Sequence, residues 1–210
     1  MAKVTSFVFL LLLITSVAVA DTIVLDPIAD SPLFGYSPDS NFGSQDYGYW
    51  GYYNGGLRSL IQYDLSSLTG STVISAQLSW EYYLNYGSGA NMWACKVTGG
   101  AWDEMSVTWN TQPAYDETAD GRLLDIPWNT GSGIVTYDCT AEALPIIQDW
   151  IDNPSYNYGM LLRKDPESGN EPRCYPFMRE ASNQAVQLII EYTVTALQRS
   201  TFGAIKASFQ

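Results

Sequence analysis

Acid–base chemistry is what the side chains of this chain could supply in greatest quantity. Its 22 Asp and Glu residues stand against 10 Lys and Arg and no histidine, for a net charge of −12. Two carboxylates could run glycoside hydrolysis, one protonating the leaving group and the other acting as base or nucleophile. With so many acids, though, chance pairs are expected, and a pair alone identifies nothing. The lack of histidine removes most hydrolase triads, the His-containing zinc sites and the commonest general base. The chain has no G-x-S-x-G elbow, Walker loop, H-E-x-x-H or C-x-x-C motif. Nucleic acid is excluded as a partner, because nothing supplies a cationic stripe for phosphates.

The aromatic residues point elsewhere. There are 7 Trp, 15 Tyr and 7 Phe alongside 17 Gly. Tyr36, Tyr47, Tyr49, Trp50, Tyr52 and Tyr53 crowd a Gly- and Asn-rich stretch, followed by Tyr82, Tyr83, Tyr86 and Trp93. Aromatic faces cover the apolar C–H faces of sugar rings, while phenols and amides reach the hydroxyls. In extended geometry Trp50 and Tyr52 fall on one face and Tyr49 and Tyr53 on the other, so about half belong to a core. Trp50, Tyr52 and Tyr53 are the candidate stacking residues.

Two acidic loops, around Asp116 and Asp120 and around Asp165 and Glu167, offer hard oxygen ligands of the kind calcium takes. Neither has EF-hand spacing, and a solvated acidic loop is the commoner explanation. No other cofactor is expected. Arg163, Lys164, Arg173 and Arg179 form the nearest cationic cluster that could compensate an anionic glycan.

The elements that must position these residues are mostly strands. Residues 1–20 are set apart as a secretion signal: Lys3 precedes an apolar run, and Ala18-Val19-Ala20 gives a small-x-small cleavage site before Asp21. Processing there would leave no membrane span and a charge one unit more negative. It also places the three cysteines, Cys95, Cys139 and Cys174, in an oxidising space, where at most one internal bridge forms. Buried, unbridged thiols are an equal expectation. Strand-like runs cover 22–25, 57–65, 73–84, 92–98, 134–140, 159–163, 175–179 and 185–194. Leu188, Ile190, Tyr192 and Val194 share one face, as do Ile74, Ala76, Leu78, Trp80 and Tyr82. One helix is predicted over 145–152, with Pro145 at its first position. Glycine-rich turns separate the runs. The pattern predicts an all-β fold, an antiparallel two-sheet β-sandwich with one short helix. Residues 26–56 show no clear strand and are where functional loops would sit.

Particular motifs add a resemblance. The run Ala101–Pro113 (AWDEMSVTWNTQP) resembles the W-D-E-x-S-V-T-W-N-x-x-P signature of DNRLRE domains, which are also classed as family 96 carbohydrate-binding modules and are related to disaggregatase-type repeats. Asn41-Phe-Gly-Ser44, Leu57–Leu65, Tyr137–Thr140 with Gln148-Asp-Trp150, and Asn157–Leu162 resemble further blocks of the family in its order. Phe177–Glu180 is a looser match. Gln62, Cys139 and Met178 depart from the family's arginine, valine and serine.

The resemblance implies a jelly-roll type of sandwich over 21–195, followed by a tail over 196–210. It implies polysaccharide binding without catalysis, alginate-type glycans being known ligands of some members. On that reading Arg58 and Arg179 join Trp50, Tyr52 and Tyr53 as candidate binding residues. A structural reading stands beside it: Arg58 pairs with Glu180 or Glu81, and the Trp102–Asn110 block forms a packed corner. The expectation is a secreted polysaccharide-binding module. Its alternative is a structural or adhesive surface protein using the same sandwich for self-assembly.

Overall fold

The computed structural model describes residues 19–128, 133–169 and 172–194. The predicted signal segment up to residue 18 and the tail over 196–210 lie outside the described residues. The elements run β1 (Val19–Leu25), β2 (Ala29–Phe34), β3 (Trp50–Tyr52), β4 (Gly56–Gln62), β5 (Thr72–Tyr86), β6 (Asn91–Val97), β7 (Tyr115–Asp116), β8 (Arg122–Pro127), β9 (Gly133–Asp138), α1 (Ala143–Asp152), β10 (Met160–Asp165), β11 (Arg173–Pro176) and β12 (Gln187–Val194).

Every paired strand is antiparallel, and all 12 belong to one hydrogen-bonded network. Pairing therefore does not divide them into two separate sheets. One arm holds β1, β12, β5 and β9; the other holds β2, β4, β10, β6, β8 and β7. The short strands β11 and β3 join the arms. The main core takes Ala76, Leu78, Trp80, Leu188 and Ile190 from the first arm and Ile61, Met160, Leu162, Met92 and Ala94 from the second.

The opposite face of the second arm is buried as well. Leu33, Leu60, Val97 and Leu161 form a smaller cluster covered by Val107, Trp102, Trp109, Tyr115 and Tyr158. Burial on both faces is why β4, β6 and β10 bury consecutive residues, Ser59–Ile61, Met92–Cys95 and Met160–Lys164, instead of alternating ones. The W-D-E-x-S-V-T-W-N segment is the cover.

The alternation predicted for β5 holds from Ala76 to Tyr82 but not at Ile74, which is exposed. A register shift opposite Glu191 and Tyr192 reverses the strand there, so Val73 packs on the core instead. Helix α1 begins at Ala143, two residues before Pro145, which sits in the first turn where its missing N–H has no bond to lose. It buries Ala143, Ile146, Ile147, Trp150 and Ile151, a stripe at i, i+3, i+4, i+7 and i+8.

Four strands were not legible as strands: β2, β3, β7 and β8. Pro32 and Asp30 interrupt the apolar character of β2, and Pro32 is tolerated because β2 pairs with β4 alone. The three cysteines are free, with Cys95 and Cys174 buried and Cys139 half-buried.

Candidate functional site

A stripe of tyrosines crosses the strands that join the two arms. Tyr36 follows β2, Tyr47 and Tyr49 lead into β3, Tyr53 follows it, and Tyr83 and Tyr175 come from β5 and β11. Their rings touch in sequence. Tyr53 meets Tyr36 at 6.3 Å, and Tyr36 stacks on Phe34 at 5.3 Å. Phe34 meets Tyr49 at 4.5 Å, Tyr49 meets Tyr47 at 6.1 Å, and Tyr47 stacks on Tyr83 at 4.8 Å. Tyr175 and Phe177 flank the row, 4.8 Å from Tyr49 and 6.0 Å from Tyr83.

Tyr36, Tyr53 and Tyr83 are 49%, 43% and 58% exposed, although each leans on a neighbouring ring. Local backbone makes this possible. Asn54 and Gly55 have positive φ, and a Cβ on Gly55 would lie 2.9 Å from the backbone of Gly35 and Tyr36. Only glycine lets the β3–β4 turn come that close, and the approach brings Tyr53 beside Tyr36. Burial, helped by neighbouring phenols, holds the Tyr36 and Tyr49 hydroxyls above the usual phenol range, so both stay protonated and able to donate.

Trp50 is not part of this surface. It is 0% exposed, donates its indole N–H to the Trp93 carbonyl at 2.9 Å and packs on Trp80 at 5.1 Å. The alternation that sends Tyr49 and Tyr53 outward sends Trp50 into the core. Tyr52 is half-buried, and Tyr53 carries the Arg173 guanidinium over its ring at 4.8 Å.

Arg58 is equally engaged. Its guanidinium makes a two-pronged ion pair with Glu167 (2.7 and 2.5 Å) and donates to Gln112 at 2.8 Å. The rings of Trp109 and Tyr115 hold it at 4.2 and 5.1 Å. Its partner is therefore Glu167, not the expected Glu180 or Glu81. The stack continues through Arg163, which faces Tyr115 and Trp93, to Arg122, 3.5 Å over Trp93. Glu117 and Asp165 pair with Arg163, and Asp125 with Arg122. Cations and rings alternate across β4, β7, β10, β6 and β8, forming a clamp over the outer face of the second arm.

The expected cationic cluster does not form. Arg163 belongs to the clamp, Lys164 is buried and donates to the Ser168 carbonyl, and Arg173 lies on Tyr53. Arg179 lies in a turn beyond β11, not on a strand. It bridges Glu104 at 2.6 Å and Glu180 at 2.9 Å.

Among the described residues the two acidic loops do not bring three carboxylates together. Asp116 accepts the Thr118 amide and hydroxyl, which hold its carboxyl below the usual range. Asp120 is exposed, and Asp165 and Glu167 belong to arginines. The grouping that does converge among the described residues is Asp30, Glu104 and Glu180, with ligand oxygens within 4.8 Å of one another. Burial pushes the Asp30 carboxyl up to about 7; the Arg179 amide lowers it, and Glu180 and Glu104 raise it further. Sequence reading missed Asp30. The signal was a single carboxylate inside the run Ala29–Phe34, in a stretch without strand periodicity.

The W-D-E segment is a packed corner. Trp102 donates to the Tyr158 carbonyl, Asn41 donates to the Glu104 and Val107 carbonyls, and Asn110 donates to Asp39. A cleft of about 700 Å³ lies beside it, lined by Trp102, Asp103, Ser106, Gln112 and neighbours. Asp103 is its one carboxylate.

The fold is β-rich and antiparallel, and three rings of its aromatic row, Tyr36, Tyr53 and Tyr83, are exposed. The chain belongs to carbohydrate-binding module family 96, whose model matches residues 15–192. No curated protein matches it.

Proposed function

We propose that the chain is a secreted, non-catalytic module that binds a neutral polysaccharide along the tyrosine stripe, in a sandwich of the jelly-roll type. The row from Tyr53 through Tyr36, Tyr49 and Tyr47 to Tyr83 carries this reading. Its rings follow one another at spacings of 4.5–6.3 Å through Phe34. A linear glycan can lay successive apolar faces on such a row, while the protonated phenols reach its hydroxyls.

Charge favours a neutral ligand. At −12 the chain repels polyanions, and its arginines are held by carboxylates and rings. The acids support a non-catalytic role for the same reason. Glu104, Glu117 and Glu167 each hold an arginine, and the cleft beside the W-D-E segment offers one carboxylate where glycoside hydrolysis needs two. The apolar run and Ala18-Val19-Ala20 support secretion.

Calorimetry against neutral polysaccharides and alginate tests the proposal. Tyr36→Ala and Tyr83→Ala should each weaken binding roughly five- to twenty-fold, about 1–2 kcal/mol, and doubled salt should change little. Normal binding by the double variant would overturn it. So would binding confined to polyanions and abolished by salt.

A further inference from the structure

Asp30 lies on β2, where it is 0% exposed, and one of its carboxylate oxygens, Oδ1, has no hydrogen-bond partner. The other oxygen accepts the Arg179 amide at 2.9 Å. Leaving a buried carboxylate oxygen unmatched costs on the order of 1–3 kcal/mol, and more for a charged group. Folds do not keep such a group without compensation. Its neighbours make the problem worse: Glu104 reaches it from the covering segment, and Glu180 from the turn after β11. Arg179 answers two of the three acids, Glu104 and Glu180, but does not meet Asp30 Oδ1 through its guanidinium. One guanidinium against three carboxylates leaves two negative charges uncancelled, the charge of a divalent cation.

We propose that Asp30, Glu104 and Glu180 bind a calcium ion, with Asp30 Oδ1 as the innermost ligand. The donor set suits calcium: it takes six to eight oxygens at about 2.3–2.6 Å in flexible geometry, whereas magnesium demands near-ideal octahedral geometry and keeps several waters. The ligand oxygens of the three residues lie within 4.8 Å of one another. Glu180 is exposed and leaves room for waters to complete the shell. The ion would tie together three segments: β2, the W-D-E cover, and the turn that follows Phe177 at the end of the tyrosine stripe. It would do so where Met178 donates its amide to the Asp46 carbonyl, next to Tyr47. This inference is independent of the polysaccharide reading.

The test is thermal unfolding and calorimetry of the full chain with calcium, with magnesium and with a chelator. Calcium should raise the midpoint and bind with a Kd on the order of 0.1–1 mM, the range of extracellular sites, while magnesium does less. Asp30→Asn should fold at least as well as wild type under chelation, because it removes the buried charge, and should lose the calcium response. Glu180→Gln, exposed and safe for folding, should weaken calcium binding at least several-fold. No calcium response from the wild-type chain would overturn the proposal. An unchanged response in both variants would also overturn it, by placing the ion elsewhere. A midpoint that follows pH and ignores calcium would show that a proton occupies Asp30 instead.

Discussion

Trp50 separates a role in folding from a role in binding, and Trp50→Ala is the sharpest single perturbation of this chain. The indole is fully buried, packs on Trp80 at 5.1 Å and donates to the Trp93 carbonyl at 2.9 Å. Removing a buried Trp costs about 3–5 kcal/mol in lost transfer energy and residual cavity. The lost indole bond to the Trp93 carbonyl keeps the cost toward the upper end. For a domain of this size each kcal/mol moves the midpoint by about 2–4 °C, so a fall of roughly 6–20 °C is expected. Trp50→Phe fills most of the space and loses the N–H donor, so its cost should be nearer 1–2 kcal/mol. Urea unfolding gives the free energies, and binding is measured well below the lowered midpoint. There, Trp50→Ala should bind glycan as wild type does, because the indole never meets solvent. The reasoning is refuted if Trp50→Ala unfolds at the wild-type midpoint yet loses binding, which would make Trp50 a surface stacking residue.

Other outcomes follow from the clamp and the thiols. Arg58→Lys keeps the charge but gives up the two-pronged pair with Glu167 and the planar stack on Trp109, and should cost about 1–3 kcal/mol in urea unfolding. A change under about 0.5 kcal/mol would show that the stack is ornamental. Burial pushes Cys95 and Cys139 up to about 12 and Cys174 well above its usual range, so almost no thiolate exists at pH 8. Iodoacetamide should leave the native protein unlabelled and modify all three thiols after denaturation. Fewer than three labels under denaturing, non-reducing conditions would reveal a bridge.

Much of the fold follows from local pattern alone. Strands β5 and β12 alternate because one face meets the core, and the Pro145 helix is marked by its apolar stripe and its proline. The W-D-E segment is legible by itself because part of it is held by short-range bonds, Val107 to Asp103, Thr108 to Thr111 and Gln112 to Trp109. What the sequence determined, then, is the β class, the helix, the family and the tyrosine-rich composition of the joining strands. It did not determine which of Trp50 and Tyr53 faces water, since alternation gives two faces without saying which is covered. It did not pair Arg58 with Glu167, 109 positions away, nor stack Arg122, Trp93, Arg163, Tyr115 and Arg58 across strands far apart in the chain. Nor could it bring Asp30, Glu104 and Glu180 together from three distant segments. Such contacts depend on strand order and register, which long-range packing sets, whereas periodicity reports only the nearest turn or pleat.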